Sequence, residues 1–465
     1  MSKRGKINLN GKKSVHFIGI GGISMSGFAE ILHREGFNIS GSDDNSSDIT
    51  KRLQRLGISV AIPTAAENIT DDIDMVVYTA AIKPFNPEFR AAAEKKLPLM
   101  ERAAFVGLIL PGYENTVCVA GTHGKTTTTS MVAEIAMAAG LDPTVSIGGH
   151  MNRGGLNYRI GSSPCFVLEA CEYSNSFSHW HPQVGMILNI EADHLDFFGS
   201  LDNVTRAFGK FASNVRPGGT LIIASNIPDF EAIIRGLDCE IVTFGMPSEG
   251  AESARFWPRN ISYSNGRPSF DVMDGEKFLA RVDLPMPGKY NMLNALASFA
   301  VACSLGISPE VTAAALSDIM GIKRRYEFKG TWRGIEIVDD YAHHPTEIRS
   351  CLSAAKASAL GRIVCVFQSH TYTRTKSLFD DFADSFDDAD KIILVPIFAA
   401  RESFDPSVSS KMLAEEICKR GGDAISVESF DEAGKFLRSA LCSGDLLITM
   451  GAGDVYKVGE ELLRV

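Results

Sequence analysis

The chain has 465 residues, which at ~150 residues per domain suggests about three domains, each able to bury its own core. Hydrophobic residues at 45% and charged residues at 22% exclude a disordered or fibrous chain. The formal charge of -10 with no extended basic run argues against a nucleic-acid partner, and the absence of an apolar stretch of ~20 residues or a signal-peptide core points to a cytoplasmic protein with no membrane span.

From Ser14 short β-branched runs alternate with amphipathic stretches (VHFIGI, ISMSGFAEILHREG, FNISGSD, MVVYTAA), the punctuation of βαβ units and a parallel sheet. A Pro111-Gly112 break precedes a fresh strand, NTVCVAG, whose glycine turn leads into the helical segment TTTTSMVAEIAMAAG. Strands CFVLEA, VGMILNI and TLIIAS follow. The turn-rich stretch from Glu249 to Asp283 reads as a smaller antiparallel addition, and PGKYNMLNALASFAVACSLG as one helix entered from a Pro-Gly turn. After Gly321 the α/β pattern restarts with IEIVDDYAHHP, RIVCVFQSH, KIILVPI, AISVE and LLITMGAGD.

The segment GTHGKTT, Gly121 to Thr127, sits where a strand turns into a helix and reads as a phosphate-binding loop, a shortened variant of the usual lysine-containing pattern. Glycines let the backbone fold around oxyanions, the helix N-terminus adds positive potential, Lys125 reaches terminal phosphates, and the Thr126 hydroxyl can hold Mg²⁺. ATP is the expected ligand. Near the start, Gly19-Ile20-Gly21-Gly22-Ile23-Ser24 opens a helix and Asp43 closes the next strand, as in a dinucleotide fingerprint. Ser24 at the third glycine position favours some other diphosphate over a nicotinamide cofactor.

Glu169 and Glu172 end one strand and Asn189 to Asp196 follow another, on the rim where the phosphate loop should lie, so oxygen and nitrogen ligands are available to hold Mg²⁺ against ATP. Nine scattered cysteines without a C-x-x-C pair read as reduced thiols, and the ten histidines show no zinc spacing. Further polar groups, Asn291 and Asn294, Arg324 and Arg325, Asp339 to His344, and Gln368 to Arg374, gather at the apparent domain boundaries. Each alone also has a plain structural reading as a cap, a solvated charge or a locally satisfied histidine.

Taken in order, GIGGISMSG, GTHGKTTT, EACEY, NIEADHLD, GKYNMLNA, RRYE, DDYAHHPTE, FQSHTYTR and GAGDVY resemble the Mur ligase superfamily over nearly the whole chain, in particular its branch that adds the first amino acid to the peptidoglycan precursor. The resemblance implies an α/β protein of three domains. A Rossmann-like N-terminal domain (1–111) would bind a UDP-sugar through Gly19, Gly21, Gly22 and Ser42 or Asp43. A central P-loop ATPase-like domain (112–321) would hold ATP with Gly121, Thr122, His123, Gly124, Lys125, Thr126 and Thr127, with Asn291 and Asn294 near adenine. Arg325 would touch the phosphates and Asp340 the ribose. Mg²⁺ would sit on Thr126, Glu169 and His194, and the catalytic set would be Lys125, Glu169, His194 and Arg325.

A C-terminal Rossmann-like domain (322–465) would bind the amino acid through Tyr341, His343, His370 and Arg374. The implied reaction is ATP-dependent amide formation between L-alanine and the lactyl carboxylate of UDP-N-acetylmuramate, through an acyl phosphate, by a monomer or homodimer acting on small molecules alone. Ser369 and Thr371 replace the family's frequent proline and arginine, and Cys171 a frequent aspartate. A branch that attaches a preformed tripeptide to the same nucleotide sugar is the near alternative. A nicotinamide-dependent oxidoreductase and a nucleotide-hydrolysing switch are remote ones, since neither accounts for all three segments.

Overall fold

The computed structural model describes residues 5–149, 157–247, 254–400 and 402–464. The chain divides into two compact units, the first holding most residues up to Trp257 together with Ala297–Thr312, the second holding Pro258–Leu296 and Ala313–Val465. No helix among the described residues is long and apolar enough to cross a membrane.

The first unit contains two sheets. Strands β1 (Ser14–Ile18), β2 (Asn38–Ser42), β3 (Ser59–Ala61), β4 (Met75–Tyr78) and β5 (Leu99–Glu101) pair in the order β3-β2-β1-β4-β5, all parallel. This is the Rossmann order, whose direction reverses beside β1, so the glycine turn after β1 lies at the topological switch point. β1 is buried along its whole length, as expected for a parallel strand covered on both faces.

The second sheet of this unit contains β6 (Asn115–Ala120), β7 (Thr144–Ser146), β8 (Tyr158–Arg159), β9 (Cys165–Glu169), β10 (Val184–Ile187), β11 (Thr220–Ala224) and β12 (Glu240–Phe244), in the order β12-β11-β10-β6-β9-β7-β8. Only the β7–β8 pair within it is antiparallel. The register sets Ala120 beside Ile187 and Val119 beside Glu169, so the chain leaves the ends of β6, β9 and β10 side by side.

β13 (Phe256–Ser264) begins beside β12 and leads into β14 (Arg267–Asp274) and β15 (Lys277–Asp283), which pair antiparallel. The antiparallel addition expected from Glu249 onward is therefore present, although residues 249–253 lie outside the described ones. The expected single helix follows at Lys289–Ser304.

In the second unit, β16 (Glu327–Trp332), β17 (Ile335–Asp340), β18 (Ile363–Phe367), β19 (Lys391–Leu394), β20 (Ala424–Ser426) and β21 (Leu446–Met450) form a sheet of order β16-β17-β21-β18-β19-β20. All pairs are parallel except β16–β17. Alternation along β18 divides its side chains between two cores: Ile363, Cys365 and Phe367 pack with Ile348, Leu352 and Phe382, while Val364 and Val366 pack with Leu437, Val458 and Leu462. A sheet with apolar cores on both faces is the doubly wound arrangement that the β-branched runs predicted. Asp340, Met450 and Phe367 are in register at the carboxyl ends of neighbouring strands.

Candidate active site

In the first unit β6 ends in the turn 121–124 and continues as helix Lys125–Ala138. Gly121 has φ +148°, and a Cβ there would lie 2.9 Å from Leu188 Cβ; Gly124, with φ +81°, caps the helix in the left-handed region. Asn189, from the chain after β10, clamps the turn: its backbone carbonyl accepts from the Thr122 amide (3.2 Å), its Oδ1 from the His123 amide (2.8 Å), and its Nδ2 donates to the His123 carbonyl (3.1 Å). The amides of Thr122 and His123 are thus committed to the protein. The donors that helix geometry leaves for an anion are those of the first helical turn, beginning with Lys125 and Thr126.

Lys125 Nζ donates to the carbonyls of Gly121 (2.6 Å) and Thr122 (3.0 Å) and forms an ion pair with Glu172 at 3.0 Å. Burial alone would depress its pKa, but the charge of Glu172, with a further contribution from Glu169, more than offsets this and holds it above the ordinary value. The lysine is therefore a fixed cation at the base of the loop. Burial pushes the Cys171 thiol up to about 11, so the cysteine beside this cation stays protonated at neutral pH.

The Thr126 hydroxyl donates to Glu169 Oε1 (3.1 Å), and Glu169 Oε2 accepts from the Gly148 amide (2.6 Å). A hydroxyl and a carboxylate in contact are hard oxygen donors suited to Mg²⁺. His194 stands in the left-handed region (φ 51°) at the start of helix Leu195–Phe198, with its ring 4.9 Å from that of Tyr173. Its Nε2 lies 3.9 Å from Glu172 and 3.8 Å from Asp193. Lys125 and His194 thus both approach Glu172, which sequence reading offered only as one of several acidic groups, while Thr126 and Glu169 form a separate pair.

At the N-terminal glycine turn, the Ser42 carbonyl accepts from the amides of Gly19 (2.9 Å) and Ile20 (2.8 Å), and Asp43 Oδ2 accepts from that of Gly21 (3.0 Å). Gly22 N–H closes the turn on the Gly19 carbonyl. A Cβ on Gly21 would lie 2.7 Å from Asp43 Oδ2, which explains a glycine there. Ser42 and Asp43 act here on the turn itself, and the leading amides of helix Ile23–Arg34 are the donors that helix geometry presents beyond it.

Asn291, Asn294, Arg325 and Asp340 belong to the second unit. The buried Asn291 donates to the Pro287 carbonyl (2.7 Å) and accepts from Asn294 (3.5 Å), so these amides also brace the start of their helix. Asp340 accepts from the amides of Tyr326 and Ala342, each at 2.7 Å; burial raises its pKa to about 6 against the opposing pull of Arg325. Arg325 stacks over Tyr341 (5.3 Å) and lies 3.8 Å from Glu347.

Tyr341, His343, His370 and Arg374 come together past the ends of β17 and β18. The His343 ring lies 5.4 Å from Tyr341 and 5.7 Å from His370, and Arg374 Nη1 is 3.1 Å from His370 Nδ1. Phe398 stacks on His370 at 5.8 Å. Burial lowers the His343 pKa to about 4, outweighing nearby Glu347, so the imidazole is neutral at pH 7. Thr371, between the histidine and the arginine, has φ +63°, an uncommon conformation for a β-branched residue, and its hydroxyl accepts from the Arg374 amide (3.3 Å).

Sequence reading missed Gly148, Glu347 and Phe398. The spacing His343-x-x-x-Glu347 at a helix start was the available signal for the second. It also left Arg324 without a role, although that side chain pairs with Asp339 (2.9 Å) and donates to the Gly451 carbonyl (2.5 Å), tying β17 to the loop after β21.

A Rossmann-order sheet, a glycine turn carrying a buried lysine at a helix start and a second doubly wound sheet are the architecture of an α/β nucleotide-binding enzyme. Family models confirm the class: the Mur ligase family catalytic domain matches residues 14–113, the Mur ligase middle domain 119–302, and the Mur ligase glutamate ligase domain 324–453. The chain belongs to the Mur ligase family. It is 48% identical to the UDP-N-acetylmuramate–L-alanine ligase of Lachnospira eligens, over 99% of this chain and 100% of that one. With the ligase of the same name from Clostridium novyi, identity is 47% over 97% of each chain.

Among solved structures, the UDP-N-acetylmuramate-alanine ligase of Thermotoga maritima superposes with a TM-score of 0.78 at 29% identity, covering 97% of this chain and 98% of that one. A murein peptide ligase from Psychrobacter arcticus shares the fold, with a TM-score of 0.69 at 24% identity over 97% of this chain and 98% of the other.

Proposed function

We propose that this chain is an ATP-dependent amide ligase that joins L-alanine to the lactyl carboxylate of UDP-N-acetylmuramate, a cytoplasmic step of peptidoglycan precursor synthesis. The observation that carries the reading is the 48% identity, spanning essentially both full chains, with a ligase named for that substrate pair. It favours L-alanine over a tripeptide acceptor and sets the nicotinamide-dependent reading aside. We assign UDP-sugar binding, ATP binding and amino-acid binding to residues 1–111, 112–321 and 322–465 respectively.

The reaction proceeds in two steps. The lactyl carboxylate oxygen attacks the γ-phosphorus of ATP, the bond to the β-γ bridging oxygen breaks, and ADP departs, leaving an acyl phosphate. The neutral amine of L-alanine then attacks the acyl carbon; the tetrahedral intermediate collapses, the amine loses its extra proton, and inorganic phosphate carries away one carboxylate oxygen. Lys125 neutralises charge that spreads over the transferred phosphoryl oxygens, a role worth about 10²- to 10³-fold in rate when one such stabiliser is removed. The helical amides beginning at Lys125 hold the phosphates, and those opening helix Ile23–Arg34 hold the uridine diphosphate.

Thr126, Glu169 and His194 would hold Mg²⁺. The bound ion would screen the β- and γ-phosphate charge. Arg325 binds phosphate oxygens, Asp340 a ribose hydroxyl, and Arg374 the amino-acid carboxylate, for which a planar guanidinium is suited. His343, neutral at pH 7, adds no second cation to that pocket.

The test is phosphate release with ATP and UDP-N-acetylmuramate while the acceptor is varied among L-alanine, L-serine, glycine and the tripeptide. L-alanine should give the highest kcat/KM, and phosphate release should depend on both substrates. Faster turnover with tripeptide, or ATP hydrolysis indifferent to both, would refute the assignment.

A further inference from the structure

We propose that Glu88 is a positioning residue for the uridine-nucleotide site, a buried carboxylate that sets the shape of the Gly19–Gly22 turn by way of Ser42. The inference rests on the reading of that turn as the UDP-sugar site. Glu88 is wholly buried at the start of helix Pro87–Glu94, where Asn86 Oδ1 accepts from the amides of Glu88 (3.0 Å) and Phe89 (3.1 Å).

Its carboxylate faces four donors. Oε2 accepts from the Ser42 hydroxyl (2.5 Å) and lies 3.2 Å from His16 Nε2, while Oε1 accepts from Asn68 Nδ2 (2.6 Å) and the Ala65 amide (3.3 Å). His16 is oriented in turn by Ser40, whose hydroxyl is 2.9 Å from Nδ1. A carboxylate removed from water at this depth is tolerable only when its lone pairs are occupied in this way. Burial pushes its pKa up, but the bonds from His16, Ser42 and Asn68 prevail and hold it below the usual carboxylate value, so Glu88 is ionised.

The connection to the ligand site is short. Ser42 gives its hydroxyl to Glu88 and its carbonyl to the amides of Gly19 and Ile20, and the next residue, Asp43, takes the amide of Gly21. Three successive amides of the turn are therefore fixed by two residues at the end of β2, one of which Glu88 holds from behind. The direction in which helix Ile23–Arg34 presents its leading amides depends on that turn. Glu88 acts through Ser42 and not on the ligand, so its loss should weaken UDP-sugar binding and leave the chemistry of ATP intact.

Glu88→Gln is isosteric but brings two N–H donors into a site already lined by donors at both oxygens. The dissociation constant for UDP-N-acetylmuramate, measured calorimetrically without ATP, should rise by about tenfold or more, as should its KM. The kcat at saturating sugar nucleotide and the KM for ATP should stay within about twofold. Ser42→Ala, which keeps both the carboxylate and the backbone carbonyl, should raise the same two constants in the same direction and decides the matter if Glu88→Gln does not fold. A folded Glu88→Gln or Ser42→Ala protein with lowered melting temperature but unchanged affinity for UDP-N-acetylmuramate would overturn the proposal. Wild-type protein that binds no UDP-N-acetylmuramate would instead refute the substrate reading itself.

Discussion

Lys125 has two separable duties, and substitution with methionine interrupts both. Its ammonium offsets Glu172, whose side chain is only 3% exposed, and removing one partner of such a buried pair costs about 3–5 kcal/mol because the remaining charge is stranded. The same ammonium is assigned to the transferred phosphoryl group, where its loss should lower kcat by ~10²- to 10³-fold. Lys125→Met should therefore be both destabilised and nearly inactive.

The double variant Lys125→Met/Glu172→Gln separates the two effects. Neutralising Glu172 removes the stranded charge, so chemical denaturation should show recovery with a coupling energy of about 2 kcal/mol or more. Ligation, followed by phosphate release at saturating substrates, should remain at least ~10²-fold below wild type, while calorimetry shows UDP-N-acetylmuramate bound normally. Activity that returns together with stability would refute the reasoning, because Lys125 would then serve only to balance Glu172.

Arg374→Lys keeps the charge but loses the planar fork; the KM for L-alanine should rise by about ten- to a hundredfold while the KM values for ATP and UDP-N-acetylmuramate stay put, as steady-state kinetics would show. Two pH effects oppose each other in the second unit. His343, with a folded pKa of about 4 against 6.5, stays neutral in the fold while the unfolded chain takes up a proton, so its contribution to stability is full above pH 6.5 and is lost as pH falls toward 4. Asp340, raised from 3.8 to about 6, works in reverse: the fold retains its proton longer than the unfolded chain, so stability falls as pH rises from about 4 to 6. Relative to wild type, His343→Gln should lose melting temperature more steeply as pH rises through this window, and Asp340→Asn should lose it more steeply as pH falls; parallel profiles for all three proteins would contradict both shifts.

The elements that sequence made legible are those with a strong local signal. Long buried strands such as Val117 to Ala120 and Ile363 to Phe367 announce themselves by continuous apolar character, and the two glycine turns by residues that only their backbone geometry requires. Strands of two or three residues, such as Tyr158–Arg159 and Ser59–Ala61, carry too few positions for any period to show. Partners far apart in the chain were harder still: Lys125 finds Glu172 across 47 residues and Ser42 finds Glu88 across 46. Nothing local tells Glu88, in an ordinary helix start, from a solvated acid, nor marks Thr371 for a positive φ. Likewise, Tyr341, His343, His370 and Arg374 are grouped in the sequence only by what the family resemblance implies; they come together because the chain segments that follow β17 and β18 leave the same rim of a parallel sheet.

The central claim is that γ-phosphoryl transfer to the lactyl carboxylate precedes attack by the amine. Its most direct test is to run the reaction with UDP-N-acetylmuramate carrying heavy oxygen in that carboxylate and to analyse the released phosphate by mass spectrometry. Acyl-phosphate chemistry predicts that each phosphate acquires one labelled oxygen per amide formed, the other remaining in the amide carbonyl. Amide formation that releases unlabelled phosphate would contradict it.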